Sequence, residues 1–106
     1  MDMRIQNANS PSSVLHYRQS EWLAIVDTVE YIYDILDKET LDNLRHGYGQ
    51  TIGYPIIDKL ATALEQFLED NDSMERVYID SYLTVEVKRV KDFISFIRLA
   101  QEIQVR

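Results

Sequence analysis

His46-Gly47-Tyr48-Gly49-Gln50-Thr51-Ile52-Gly53-Tyr54-Pro55 holds all three glycines and one of the two prolines of the chain. Glycines this close together mean a backbone that bends sharply or uses positive φ, which other residues tolerate poorly. The sequence on either side reads mostly as helix, so the stretch is the expected hinge. Pro55 suits the first turn of a helix, where it has no N–H to lose. The run from Ile56 to Leu68 is the clearest amphipathic segment, and its helix is expected to end near Glu69.

Toward the N-terminus, Ser20 is the expected N-cap of the first long helix, and Glu21 suits the positive end of its dipole. Trp22, Ile25, Val26, Val29, Ile32, Tyr33 and Leu36 recur at three- and four-residue spacing and so share one face. Asp27, Glu30 and Asp34 fall largely opposite. Thr40 is expected to cap a short second helix through Arg45, with Leu41 and Leu44 inward. Residues 1–13 are polar and end in Ser10-Pro11-Ser12-Ser13, which reads as a flexible arm held at Ile5. The segment Val14–Arg18 is too brief to assign.

Toward the C-terminus, Asp70-Asn71-Asp72-Ser73 breaks the helix after the hinge. Residues 74–83 read as a short helix with Met74, Val77 and Tyr78 inward. The alternative is a hairpin of Arg76–Asp80 with Tyr82–Val87, because β-branched and aromatic residues dominate there. Thr84 is then the cap of the last helix, with Val87, Val90, Phe93, Ile94, Ile97 and Ala100 on one side. Lys88, Arg89 and Lys91 crowd its solvent side, and Ile103 and Val105 extend the apolar contact. The expected fold is all-α: a small helical bundle of three long and one or two short helices, as a single helical domain over residues 14–106.

The chain of 106 residues is 45% hydrophobic and 27% charged, ordinary for a globular protein. Its net charge is −7, from 18 acids and 11 bases. That balance disfavours nucleic acid and an anionic membrane surface, which both need clustered Lys and Arg. It suits a basic protein partner, or serves only to keep a small protein soluble. Both halves are acidic: 8 acids and 4 bases precede Tyr54, 10 and 7 follow from it. There is no cysteine, so disulfides and cysteine-ligated metals are excluded and a reducing, cytoplasmic location is expected. No apolar run approaches the roughly 20 residues of a membrane-spanning helix, and the first ten residues lack the apolar core of a signal peptide.

His46 beside the glycines is the candidate for acid–base chemistry or metal ligation. His16 is the only other histidine, and neither stands in a metal-ligand pattern. The plainer reading is that His46 closes the second helix, where a cation suits the dipole. A phosphate loop needs Lys-Ser or Lys-Thr after its last glycine, whereas Gly53 is followed by Tyr54-Pro55. An anion at the start of the following helix is the weaker option. The acidic stretch through Glu69, Asp70, Asp72 and Glu75 resembles the start of a calcium loop. It carries Glu75 where that loop requires glycine, so it reads as an exposed acidic turn. No cofactor or metal is expected. Seven tyrosines are too many for so small a core, and Tyr48 and Tyr54 flank the hinge. Tyrosine suits interfaces because it buries area and keeps a polar tip.

Trp22, His46-Gly47-Tyr48-Gly49, Leu60-Ala61-x-x-Leu64 and Phe93-x-x-Phe96 together resemble a group of small uncharacterised bacterial proteins with a His-Gly-x-Gly loop between helices. The resemblance implies that the loop and the helix after it belong together, and implies no activity.

The function expected from the sequence is that of a non-enzymatic, acidic protein-binding module of inhibitor, immunity or adaptor type. Its contact residues would be His46, Tyr48, Tyr54, Glu69, Asp70, Asp72 and Glu75. The alternative is a domain or enzyme that uses the His46 loop to bind a small molecule or anion. A third expectation is a homodimer pairing the last helices through Phe93, Phe96 and Ile97.

Overall fold

A computed structural model of the chain describes residues 2–32, 35–46, 50–71, 73–78 and 84–106. Their order is β1 (Asp2–Asn7), β2 (Ser10–Arg18), α1 (Gln19–Ile32), α2 (Lys38–His46), β3 (Gln50–Gly53), α3 (Ile56–Asp70), β4 (Arg76–Tyr78), β5 (Thr84–Glu86), α4 (Val87–Leu99) and β6 (Glu102–Val105). The all-α helical bundle is therefore wrong: four helices accompany six strands in two antiparallel sheets. The larger sheet has strand order β2-β1-β6-β3, and β4 and β5 make a two-stranded ribbon.

The expected N-terminal arm is a hairpin. Asp2 pairs with Arg18, Arg4 with His16 and Ile5 with Leu15, with the register shifting between Gln6 and Asn7. Strand β6 then pairs with β1 (Ile5 opposite Val105) and with β3 (Ile52 opposite Ile103). Within the stretch expected to hinge, Gln50–Gly53 is an edge strand, and residues 47–49 lie outside the described residues. The ribbon answers to the hairpin alternative for residues 76–87, not to the preferred short helix. It spans Arg76–Tyr78 and Thr84–Glu86, with Val77 and Val85 inward.

The reason is the two-residue side-chain period of a strand, which short polar strands display only faintly. In β1 the buried residues are Met3 and Ile5, alternating with Arg4 and Gln6. In β6 they are Ile103 and Val105, expected only to extend the apolar contact of the last helix. Pro11 hid β2 in the same way. It is tolerated because β2 is an edge strand, where the donor that proline lacks is not needed by a neighbouring strand.

The helices cover one face of the larger sheet. Met3, Ile5, Tyr17, Ile52, Ile103 and Val105 share one apolar cluster with Trp22, Leu60, Leu64, Phe67, Val90 and Phe93. Of the residues expected to pair two copies, Phe93 and Ile97 are buried in this core, and Phe96 packs against it partly exposed. Trp22 stacks edge-on against Phe93 at 5.3 Å, and its Nε1–H donates to the Leu44 carbonyl at 2.7 Å. That bond ties α1 to α2.

Helix ends follow local rules. Glu21 reaches back to accept from the Arg18 N–H at 2.9 Å, half of a capping box. Asp37, not Thr40, caps α2: its Oδ1 accepts from the Thr40 N–H at 2.8 Å. The side-chain and backbone bonds to Thr40 hold the Asp37 carboxyl below its ordinary range.

Candidate functional site

Three arginines organise the charge of this acidic chain. Arg45 in α2 bridges α1 and α2: Nε donates to Asp27 at 2.8 Å, Nη1 lies 3.1 Å from Asp42, and Nη2 meets Glu30. Arg89 in α4 lies over the Tyr17 ring, 4.0 Å from its centroid. It also holds Asp92 at 3.1 Å, the Glu21 carboxylate at 3.5 Å and the His16 carbonyl. Arg98, the residue after Ile97 in α4, reaches across to α3. It engages Asp58 at 2.9 Å, Glu65 at 2.6 Å and Thr62 at 3.4 Å. Positions 58, 62 and 65 lie at four- and three-residue spacing, so one face of α3 receives one guanidinium. Bonds to Glu65, then to Asp58, raise the pKa of Arg98 further.

Beside the Arg98 clamp opens a cleft of about 610 Å³ where β3 meets α3 and α4 meets β6. Ile57 and Ile97 supply its apolar lining, and Asp58, Arg98 and Glu102 its charges. Tyr54 forms one wall and is 79% exposed. Gly53 lies beside Glu102 in the same corner, where a Cβ would make ordinary contact with Glu102 Oε2 at 3.8 Å. Leu99, 86% exposed, follows Arg98 on the segment that leads into the cleft. The cleft can hold a side chain or small ligand between an apolar floor and a polar rim. Among the described residues, its lining includes no serine, cysteine or histidine to serve as a nucleophile or base.

The residues singled out in the sequence do not gather at one place. Tyr54 stands at the start of α3, whereas Glu69 and Asp70 are exposed at its far end, about 20 Å away for a helix of this length. Asp70 accepts a hydrogen bond from Gln66 at 3.0 Å. Glu75 lines a separate shallow groove with Arg76, Glu86, Lys88 and Lys91. His46 is the exposed last residue of α2, where it and Arg45 face the negative end of the dipole. Tyr48 and Asp72 lie outside the described residues. Sequence reasoning missed Arg98, Asp58 and Leu99. Two signals were available: the acid spacing on α3, and Leu99 falling off the stripe that ends at Ile97.

Compared with protein-family models, curated proteins and solved structures, the chain has no significant match to any.

Proposed function

We propose that the protein is a non-enzymatic, acidic protein-binding module of the inhibitor, immunity or adaptor kind, with its contact centred on Tyr54 and the cleft beside it. The observation that carries this reading is Tyr54, 79% exposed on the wall of an open cleft floored by Ile57 and Ile97. Covering an exposed aromatic with a partner gains the free energy of removing its apolar area from water, and tyrosine and arginine dominate interface energetics. The rim supplies the polar surround, with Arg98 already oriented by Asp58 and Glu65. The net charge of −7 favours a basic partner through faster encounter.

A partner captured by pull-down should lose about tenfold or more in affinity to Tyr54→Ala, equivalent to about 1.4 kcal/mol. Isothermal titration measures it, and an unchanged Kd would sink the assignment. The cleft volume also lies within the range of small-ligand sites, about 300–1,000 Å³. An anion or metabolite that raises Tm in a thermal-shift screen, with the rise removed by Tyr54→Ala, would favour that second reading.

A further inference from the structure

The larger sheet has a second face that the helices do not cover. Alternation in the paired strands sends Arg4, Gln6, Val14, His16, Arg18, Thr51, Gln104 and Arg106 to that side, opposite the buried Met3, Ile5, Tyr17, Ile103 and Val105. Arg4, His16, Arg18 and Arg106 are all exposed. Arg4 is opposite His16 on one neighbouring strand, and exchanges both backbone hydrogen bonds with Arg106 on the other, at 2.9 Å. His16, Arg4 and Arg106 therefore form a row across three strands, with Arg18 two residues along β2 from His16.

This row is unusual for the rest of the molecule. Of the seven arginines, Arg45, Arg76, Arg89 and Arg98 form ion pairs with carboxylates among the described residues. The other three, Arg4, Arg18 and Arg106, form none there, and all three lie on this one face. Among the described residues the Arg106 guanidinium donates to Gln104 Oε1, at 2.7 and 3.1 Å. Among the side chains described on this face, the acid is Glu102, near the end opposite Arg18. Cations directly opposite each other on neighbouring strands repel and destabilise a sheet. A local arrangement that costs stability marks a place selected for contact.

We infer that the open face of the β2-β1-β6-β3 sheet docks a carboxylate-rich polypeptide segment, with Arg4 and Arg106 as the central contacts and Arg18 flanking them. The cations are guanidinium forks, which bind carboxylates through two parallel hydrogen bonds. The row spans about 10 Å across the strands, and Arg18 adds about 7 Å along β2. An extended segment with acids at alternate positions presents its carboxylates on one side, about 7 Å apart. Nucleic acid fits less well. Tyr17, the large aromatic side chain of β2, points into the core, so among its described residues the face lacks the run of tyrosine, phenylalanine or tryptophan rings on which successive bases stack, and the net charge of −7 opposes a polyanion further. The acids elsewhere do not cancel the row: screening acts over about 8 Å at physiological salt, against molecular extents of 34 × 24 × 23 Å. This surface is distinct from the Tyr54 cleft and does not depend on it.

The test is fluorescence anisotropy at physiological ionic strength, using a labelled peptide of alternating Glu and Ser that is long enough to cross the sheet. Binding should be measurable, lost in high salt, and about tenfold weaker for Arg4→Gln/Arg106→Gln. Both side chains are exposed, so the variant should keep the wild-type circular dichroism. Arg4→Lys should weaken binding less, because it keeps the charge and loses the fork. Lys88→Gln/Lys91→Gln, which removes equal charge from α4, should leave affinity unchanged. No binding, equal loss in the lysine variant, or tighter binding of an equally charged single-stranded oligonucleotide would each overturn the inference. So would sedimentation showing self-association that the arginine changes abolish, since the occupant would then be a second copy of the chain.

Discussion

Tyr17 shows how one side chain in this fold holds several elements and takes on a pH dependence. Its ring lies tilted against Trp22 at 5.8 Å, its hydroxyl donates to the Arg89 carbonyl at 2.9 Å, and the Arg89 guanidinium lies over the ring, 4.0 Å from its centroid. Burial pushes the hydroxyl pKa well above its ordinary value of 10, and the charge of Arg89 pulls it only part of the way back. Below pH 10 the group is neutral in both folded and unfolded chains. Above it the unfolded chain ionises first, so stability falls by about 1.4 kcal/mol per pH unit for this group until the folded pKa is reached. Tyr17→Phe removes that dependence. In urea denaturation it should cost about 1 kcal/mol at pH 8, the worth of the lost hydrogen bond. By pH 11 the gap to wild type should narrow or reverse, and a constant gap would contradict the account. The sequence offered no sign of this. A tyrosine in an unassigned five-residue segment cannot announce that it is buried.

At the scale of elements, the helices were legible and the strands were not. Trp22, Ile25, Val26 and Val29 repeat over enough turns to define a face, and α1 and α3 fall close to where that repeat puts them. Strands of three or four residues, such as β3 and β5, offer one or two alternations, fewer than any pattern needs. Charge was legible only as a sum. Nothing in the sequence shows that Arg45 faces three carboxylates from two helices, because that depends on how α1 crosses α2. Arg45→Ala should leave Asp27, Glu30 and Asp42 repelling one another. Exposed pairs contribute about 0–1 kcal/mol each, so a loss of about 1–2 kcal/mol is expected for the trio, shrinking in high salt. Denaturant midpoints at low and high ionic strength measure it, and a loss insensitive to salt would mean that packing and not charge is at stake. The cleft was half legible for the same reason: Tyr54 stood out beside the glycines, while Arg98 arrives from a distant helix.

For the whole molecule, the decisive fact is that β1 lies inside the sheet, between β2 and β6. A flexible arm at residues 1–13 could be removed without consequence. In this fold the same deletion removes all of β1 and the start of β2, takes Met3 and the fully buried Ile5 out of the core, and leaves β6 unpaired on one side. The truncated chain should show no cooperative thermal transition by circular dichroism, whereas a melt like that of the full chain would restore the arm. No described helix is long and apolar enough to cross a membrane.

The backbone pairing of Arg4 with Arg106 has a consequence in time as well as in space. It joins residues separated by nearly the whole chain, so its loop-closure entropy must be lost before any contact of β1 with β6 is gained. Helices and the β1–β2 hairpin can form from neighbours within microseconds, but the sheet they support must wait for the two far segments to meet. The slow event of folding is then the seating of β6 between β1 and β3, and side chains along that seam should govern its rate.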